Sequence, residues 1–180
     1  MPLEDEKRLV DLAKSGDGEA FGRLYEAYFD RVYRFIYFRV TDDQVAEDLS
    51  SQVFLKAWEN LRRYHPRGPF LAWLYAIARN TVIDSYRTRK QTVSLDEAAP
   101  IASQEAKLDD RLQLEFEMEA LQAAMQQLTE EQQEVITLKF IADYDTERIA
   151  KEMGKSEGAI RALQMRALQA LARVMKIDRK

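Results

Sequence analysis

Cysteine is absent, and histidine occurs once, at His65. The first absence removes disulfides, thiol nucleophiles and cysteine-bound zinc, and makes a reducing cytoplasm the expected home. The second leaves almost no material for a metal site or a Ser-His-Asp triad. Proline is scarce at four residues and glycine at six, so the chain has little to interrupt regular structure with. Long apolar runs are missing too. The longest, "FLAWLYAIA" at 70–78, is nine residues, against the roughly 20 that a membrane-spanning helix needs. The opening "MPLEDEKRLVDLAKSG" is charged, unlike a signal peptide, and no tail beyond Lys180 is expected to carry an extra regulatory domain. No cofactor, metal or membrane insertion is expected.

What the chain does have is charge, unevenly placed. Of its 180 residues 46% are hydrophobic and 32% charged, as suits a folded domain or two small ones. The net charge of −4 divides into +1 over residues 1–90, −8 over 91–131 and +3 over 132–180. Within the first part, 61–90 alone carries seven basic residues against Asp84. Two basic regions therefore flank an acidic connector.

Helical periodicity runs through both flanks. Phe21, Leu24, Tyr25, Tyr28, Phe29, Val32, Phe35 and Ile36 recur at three and four residues and form one apolar stripe. "TDDQ" at 41–44 reads as a capping box with Thr41 as the cap. It opens a helix with Val45, Leu49, Val53, Ala57 and Leu61 inward. "HPRGP" at 65–69 must break that helix, because two prolines and a glycine do not sustain its hydrogen bonds. Phe70, Trp73, Leu74 and Ile77 start another, ending about Arg89. The text from 91 is small, polar and acidic without a period, and reads as a tether. Some fifteen such residues average roughly 20 Å end to end and stretch to roughly 50 Å. Helical text resumes near Leu108, and "TEEQ" at 129–132 caps a helix expected to bury Val135, Leu138 and Phe140. The fold class is all-α: two small helical domains, 1–90 and 108–180, joined by a flexible acidic linker at 91–107.

Two of the six glycines fall in one short stretch, "EMGKSEGAIRALQMRAL" at 152–168. Ile149, Ala150 and Met153 form the inner side of a short helix, Gly154 stops it, and Ser156 caps the next. That is a helix-turn-helix. In its second helix Ile160, Leu163, Ala167, Leu171 and Val174 face inward, while Gly158, Arg161, Ala162, Met165 and Arg166 face out. Small residues and arginines near the N-terminal end of an outward face suit insertion into a DNA major groove, where arginine donates twice to guanine. "GKS" at 154–156 is not a phosphate-binding loop: Ile149 stands where its first glycine belongs, and a helix precedes it.

The second chemical signal is "LRRYHPRGPFLAWLYAIARNTVIDSYRTRK", where aromatics alternate with arginines. Aromatic faces stack unpaired bases and cations follow phosphates, as single-strand binding requires. Phe70, Trp73 and Ile77 at helical spacing are core candidates. The 64–69 loop is the better base-contacting candidate, with Tyr64, His65 and Arg67 expected at the surface.

"AEDLSSQVFLKAWENLRRY", "FLAWLYAIARNTVIDSYR" and the C-terminal helix-turn-helix together resemble the sigma-70 family, in its extracytoplasmic-function class. The likeness runs from "AFGRLYEAYFDRVYRF" to "SEGAIRALQMRALQAL". It implies a protein that binds core RNA polymerase, at the clamp helices and flap region of the large subunits, and directs it to promoter DNA, both double- and single-stranded. It implies docking through Glu47, Asp48, Ser51, Gln52 and Phe54. Capture of the melted −10 strand falls to Tyr64, His65, Arg67, Phe70, Arg79, Asn80 and Arg87. Reading of the −35 duplex falls to Ser156, Gly158, Arg161, Ala162, Met165 and Arg166. The acidic linker resembles the segment that runs through the RNA exit path. An anti-sigma factor is a partner the resemblance leaves open. The chain departs from the family at Ser51-Gln52, where Gln-Glu is usual, and at Ala162 and Leu163, where Ser and Arg are frequent, so the preferred −35 sequence does not carry over. A stand-alone helix-turn-helix regulator is the alternative, but it leaves the aromatic-basic half unused. An enzyme has no acid–base motif to start from.

Overall fold

The computed structural model describes residues 5–40, 42–65, 68–92 and 110–177, and all regular structure among them is helical. The order is α1 (Glu6–Lys14), α2 (Gly18–Tyr37), α3 (Asp43–Asn60), a 3-10 turn at Leu61–Arg63, α4 (Phe70–Thr92), α5 (Asp110–Gln126), α6 (Glu130–Ile136), a π turn at Thr137–Ile141, α7 (Thr146–Met153) and α8 (Glu157–Ile177). The expected tether at 91–107 lies almost wholly outside the described residues.

The N-terminal half is built round α2. Asp17 caps it, its carboxylate accepting from the amides of Glu19 and Ala20. The stripe then buries Leu24, Tyr28, Val32, Phe35 and Ile36, with Phe21 and Phe29 half-buried. Tyr25 stays 37% exposed at its edge, its ring 4.8 Å from that of Phe54. The helix after it is capped by Asp42, not Thr41: Asp42 is extended and its carboxylate accepts from the amide of Val45 at 2.8 Å. A carboxylate in the adjacent position caps as well as a threonine hydroxyl, and the start moves one residue on; Thr41 itself is outside the described residues. The short α1 does more than cover the core. One oxygen of Glu6 accepts from the Phe70 amide (3.2 Å) and the other from the Tyr28 hydroxyl, and Lys14 donates to the Tyr64 carbonyl (2.8 Å). The first helix thus pins both ends of the proline loop.

In the C-terminal half, Thr129 and Gln132 form a reciprocal capping box. Val135 and Leu138 are buried as expected, but Phe140 is 56% exposed. The reason is the π turn, whose extra residue rotates everything after Leu138 away from the helical register. Gly154 ends α7 in the left-handed region at φ 63° and ψ 35°. The Lys155 amide returns to the Ala150 carbonyl at 3.0 Å, a Schellman-type stop. Ser156 then accepts from the amide of Ala159 at 3.3 Å and starts α8.

The halves lie against each other. Gln122 donates to the carbonyls of Tyr37 (3.1 Å) and Val40 (3.3 Å), and Gln126 to Val40 (2.9 Å). These amides satisfy carbonyls that the end of α2 leaves unpaired. Among the described residues no helix is long and apolar enough to cross a membrane.

Candidate nucleic-acid interface

On α8 the inward and outward sets separate cleanly. Ile160 and Ala167 are fully buried, Leu163 and Leu171 nearly so, and Val174 half-buried. Ser156, Gly158, Arg161, Ala162, Met165 and Arg166 are all exposed. A side chain added at Gly158 would meet open space. Arg161 is engaged with Glu157 one turn back, at 2.6 Å, and Arg166 donates to its own helix at the Ala162 carbonyl. Both contacts are surface interactions of the kind that exchange cheaply for a better acceptor. Arg148 lies 3.8 Å from the centre of the Tyr144 ring at the base of the motif.

The N-terminal candidates divide. Tyr64 is not at the surface: it is 7% exposed, with its ring 4.6 Å from Trp73 and 5.6 Å from Phe70 and its hydroxyl on the Gly68 carbonyl. Burial raises its pKa. Phe70 is 1% exposed under Tyr28 and Trp73. The surface position expected for Tyr64 does not hold, whereas Phe70 is buried as its helical spacing indicated, so neither ring is open to the base contact that the resemblance implied. The pattern missed Tyr64 because its carbonyl is held by Lys14 of α1, fifty residues away in the chain. His65 is exposed, its Nδ1 donating to the Arg63 carbonyl at 2.8 Å, and Arg67 lies outside the described residues. Asn80 and Arg87 are exposed two turns apart on α4.

Arg79 is different. It is ion-paired to Glu134 of α6, across the two halves, with the arginine side chain 24% and the glutamate 11% exposed. Arg39, at the end of α2, is buried near the same carboxylate. It is 2% exposed, and its Nε and one terminal nitrogen have no hydrogen-bond partner among the described residues. Its guanidinium carbon sits 5.7 Å from the Phe35 ring centre. Burial lowers its pKa, opposed by the Glu134 charge.

On α3, Glu47, Asp48, Ser51 and Gln52 are exposed on one face. Phe54 is not available to a partner as expected. It is 3% exposed and packs its ring against Tyr25 and Phe29. The apolar contribution to that face comes from residues the sequence reading passed over, Leu55 at 59% and Trp58 at 37% exposure. Their spacing from Ser51, four and seven residues, could have found them. No cluster able to hold a metal ion occurs among the described residues.

Two family descriptions match the chain, Sigma-70 region 2 over residues 24–92 and Sigma-70, region 4 over 118–171. The ECF RNA polymerase sigma factor BldN of Streptomyces coelicolor is 38% identical over 173 residues, 94% of this chain and 66% of that protein. The ECF RNA polymerase sigma factor SigX of Bacillus subtilis is 30% identical over 168 residues, covering 89% of this chain and 86% of that protein. Among solved structures, CnrH in complex with the cytosolic domain of CnrY superposes with a TM-score of 0.70 at 23% identity, over 97% of this chain and 99% of that one. That similarity is one of fold.

Proposed function

This chain belongs to the sigma-70 family, in its extracytoplasmic-function class, and directs RNA polymerase to promoters; from that premise we propose which of its surfaces do so. The −35 duplex is read by α8, with Gly158 and Ala162 letting the helix seat deeply, Arg161 and Met165 meeting base edges, and Ser156 and Arg166 meeting the backbone. What carries this assignment is the clean separation on α8, where every outward candidate is exposed and every inward one packs.

The −10 strand is held along α4 and its preceding loop, by His65, Arg67, Asn80 and Arg87, with Arg79 joining when Glu134 releases it. Holding an unstacked base costs a few kcal/mol, which a shaped pocket must offset. Tyr64, Phe70 and Trp73 supply the rigid wall of that pocket. Polymerase docks on α3 through Glu47, Asp48, Ser51 and Gln52, extended by Leu55 and Trp58. The acidic stretch at 91–107 is repelled by DNA and suits a cationic channel. A net charge of −4 makes the free chain a poor general DNA binder, so promoter binding depends on the polymerase.

In this reading the protein works in the cytoplasm and contributes recognition and strand capture, not chemistry of its own. CnrH was solved bound to part of another protein, and an anti-sigma partner is proposed here too. The test is to mix the chain with core polymerase and a randomised promoter library. Transcripts enriched for one pair of elements support the reading; failure to bind core in a pull-down removes it.

A further inference from the structure

The contact between the halves is chemically lopsided. Arg79 is paired with one carboxylate, Glu134, whose charge also acts on the buried Arg39, and Arg39 keeps two buried donors unmatched among the described residues. A buried cation with unmet donors is a standing cost to the closed arrangement. Three neutral contacts offset it: the amides of Gln122 and Gln126 on the end of α2, and the Tyr75 hydroxyl on the Ile141 carbonyl.

We propose that Arg39 and Arg79 form an anion site for a backbone phosphate of promoter DNA, and that Glu134 fills this site from within the same chain while the two halves are closed. A phosphodiester carries the same single charge as the glutamate and, like it, presents two charged oxygens to guanidinium donors. Opening the halves frees both arginines at once, so binding of DNA and separation of the halves are one linked equilibrium. The part played by Arg79 rests on the −10 assignment above; Arg39 is new to it.

The chain has no cysteine, so Glu26→Cys and Ala172→Cys, both at exposed positions, accept a donor and an acceptor dye on the full-length protein. Glu134→Gln should shift energy transfer toward longer separations and tighten polymerase-free binding to a selected promoter fragment roughly tenfold, within the usual range of such couplings. Glu134→Ala should do the same, and circular dichroism confirms that both fold. Adding Arg39→Met to Glu134→Gln should cancel most of the gain and reduce the slope of log affinity against log salt by about one. Unchanged separation and affinity in both glutamate variants overturn the latch. Opening with an affinity indifferent to Arg39→Met overturns the phosphate site. Transcription by the wild-type holoenzyme on the same fragment is read in parallel, so a failure of promoter reading itself shows there.

Discussion

The hydroxyl of Tyr75 donates to the backbone carbonyl of Ile141, 3.3 Å away, so the basic helix α4 holds the turn that leads into the helix-turn-helix. Its ring packs on Phe35 at 4.9 Å and meets Tyr144 edge-on at 6.3 Å. Burial pushes the phenol up to about 12, with the Arg31 charge opposing and Tyr144 adding to the rise. Because this folded value lies above the ordinary 10.0, the neutral form is the one folding favours. The resulting stability is whole below pH 10 and is lost as pH climbs through about 12. Tyr37, also raised to about 12 by burial and by Asp43, acts in the same direction. Denaturation midpoints should therefore hold steady up to the ordinary phenol range and fall beyond it. Tyr75→Phe should keep the ring packing, cost about 0.5–1.5 kcal/mol at neutral pH for the lost hydrogen bond, and flatten the alkaline fall. An unflattened fall would assign it to Tyr37 and the other tyrosines.

Gly154 and Gly158 stand four residues apart for different reasons. Gly154 has φ 63°, and nothing lies within 4 Å of an added side chain, so only the backbone objects to substitution. Gly154→Ala should cost about 1–2 kcal/mol, and Gly154→Asn less, since asparagine tolerates that region. Gly158 sits in ordinary helix, also with open space around it. There Gly158→Ala should be neutral or stabilise by up to ~1 kcal/mol. Gly158→Leu should fold as well yet weaken −35 binding, because its side chain would stand between helix and groove. Thermal denaturation and duplex binding, measured side by side, separate the two roles. Loss of stability in Gly158→Ala would refute this division.

Much of this was legible because the signals are local. Gly154, Ser156 and the Thr129–Gln132 box are read from neighbours within four residues, and each is where the sequence placed it. The apolar stripes were legible for the same reason. What failed depends on distant chain or on a broken period. Phe140 turns outward because a π turn shifts the count, and no simple 3.6-residue pattern shows that. Tyr64 goes inside because Lys14 holds its carbonyl from fifty residues away. Arg79 and Glu134 meet across the two halves, and no spacing rule relates residues 55 positions apart in the chain.

Gln133 was invisible to sequence reading, since glutamine beside a capping box looks like surface. It is 5% exposed, and its amide donates to the carbonyls of Met125 (2.9 Å) and Leu128 (3.4 Å). It closes the C-terminal end of α5 from the first turns of α6, taking up carbonyls the helix end leaves open. Gln133→Leu fills the volume but strands those acceptors, and should cost about 1–3 kcal/mol. Gln133→Glu should cost at least as much, because it sets a carboxylate against two carbonyl oxygens. Urea denaturation of both variants decides it. A loss confined to Gln133→Glu would show that charge, not the missing donor, is what the site resists.

Arg161 and Arg166 are both exposed arginines on α8, yet they should fail differently. Arg161 lies nearer the N-terminal end, on the outward centre line with Gly158, Ala162 and Met165, where a recognition helix meets base edges. Its pairing with Glu157 is an exposed i,i+4 contact, worth only ~0.3–0.5 kcal/mol, so guanine can displace it. Arg161→Ala should cost about 1–3 kcal/mol of discrimination at one base position of the −35 element and little at the others. Arg166 stands at the flank of that face, and in the proposed reading it meets the phosphate backbone. Arg166→Ala should weaken every −35 variant alike and lower the salt slope by about 0.9. Transcription from a −35 library by each holoenzyme distinguishes the two patterns. A uniform loss for Arg161→Ala would make it a phosphate contact and leave Met165 as the residue through which this face meets the bases.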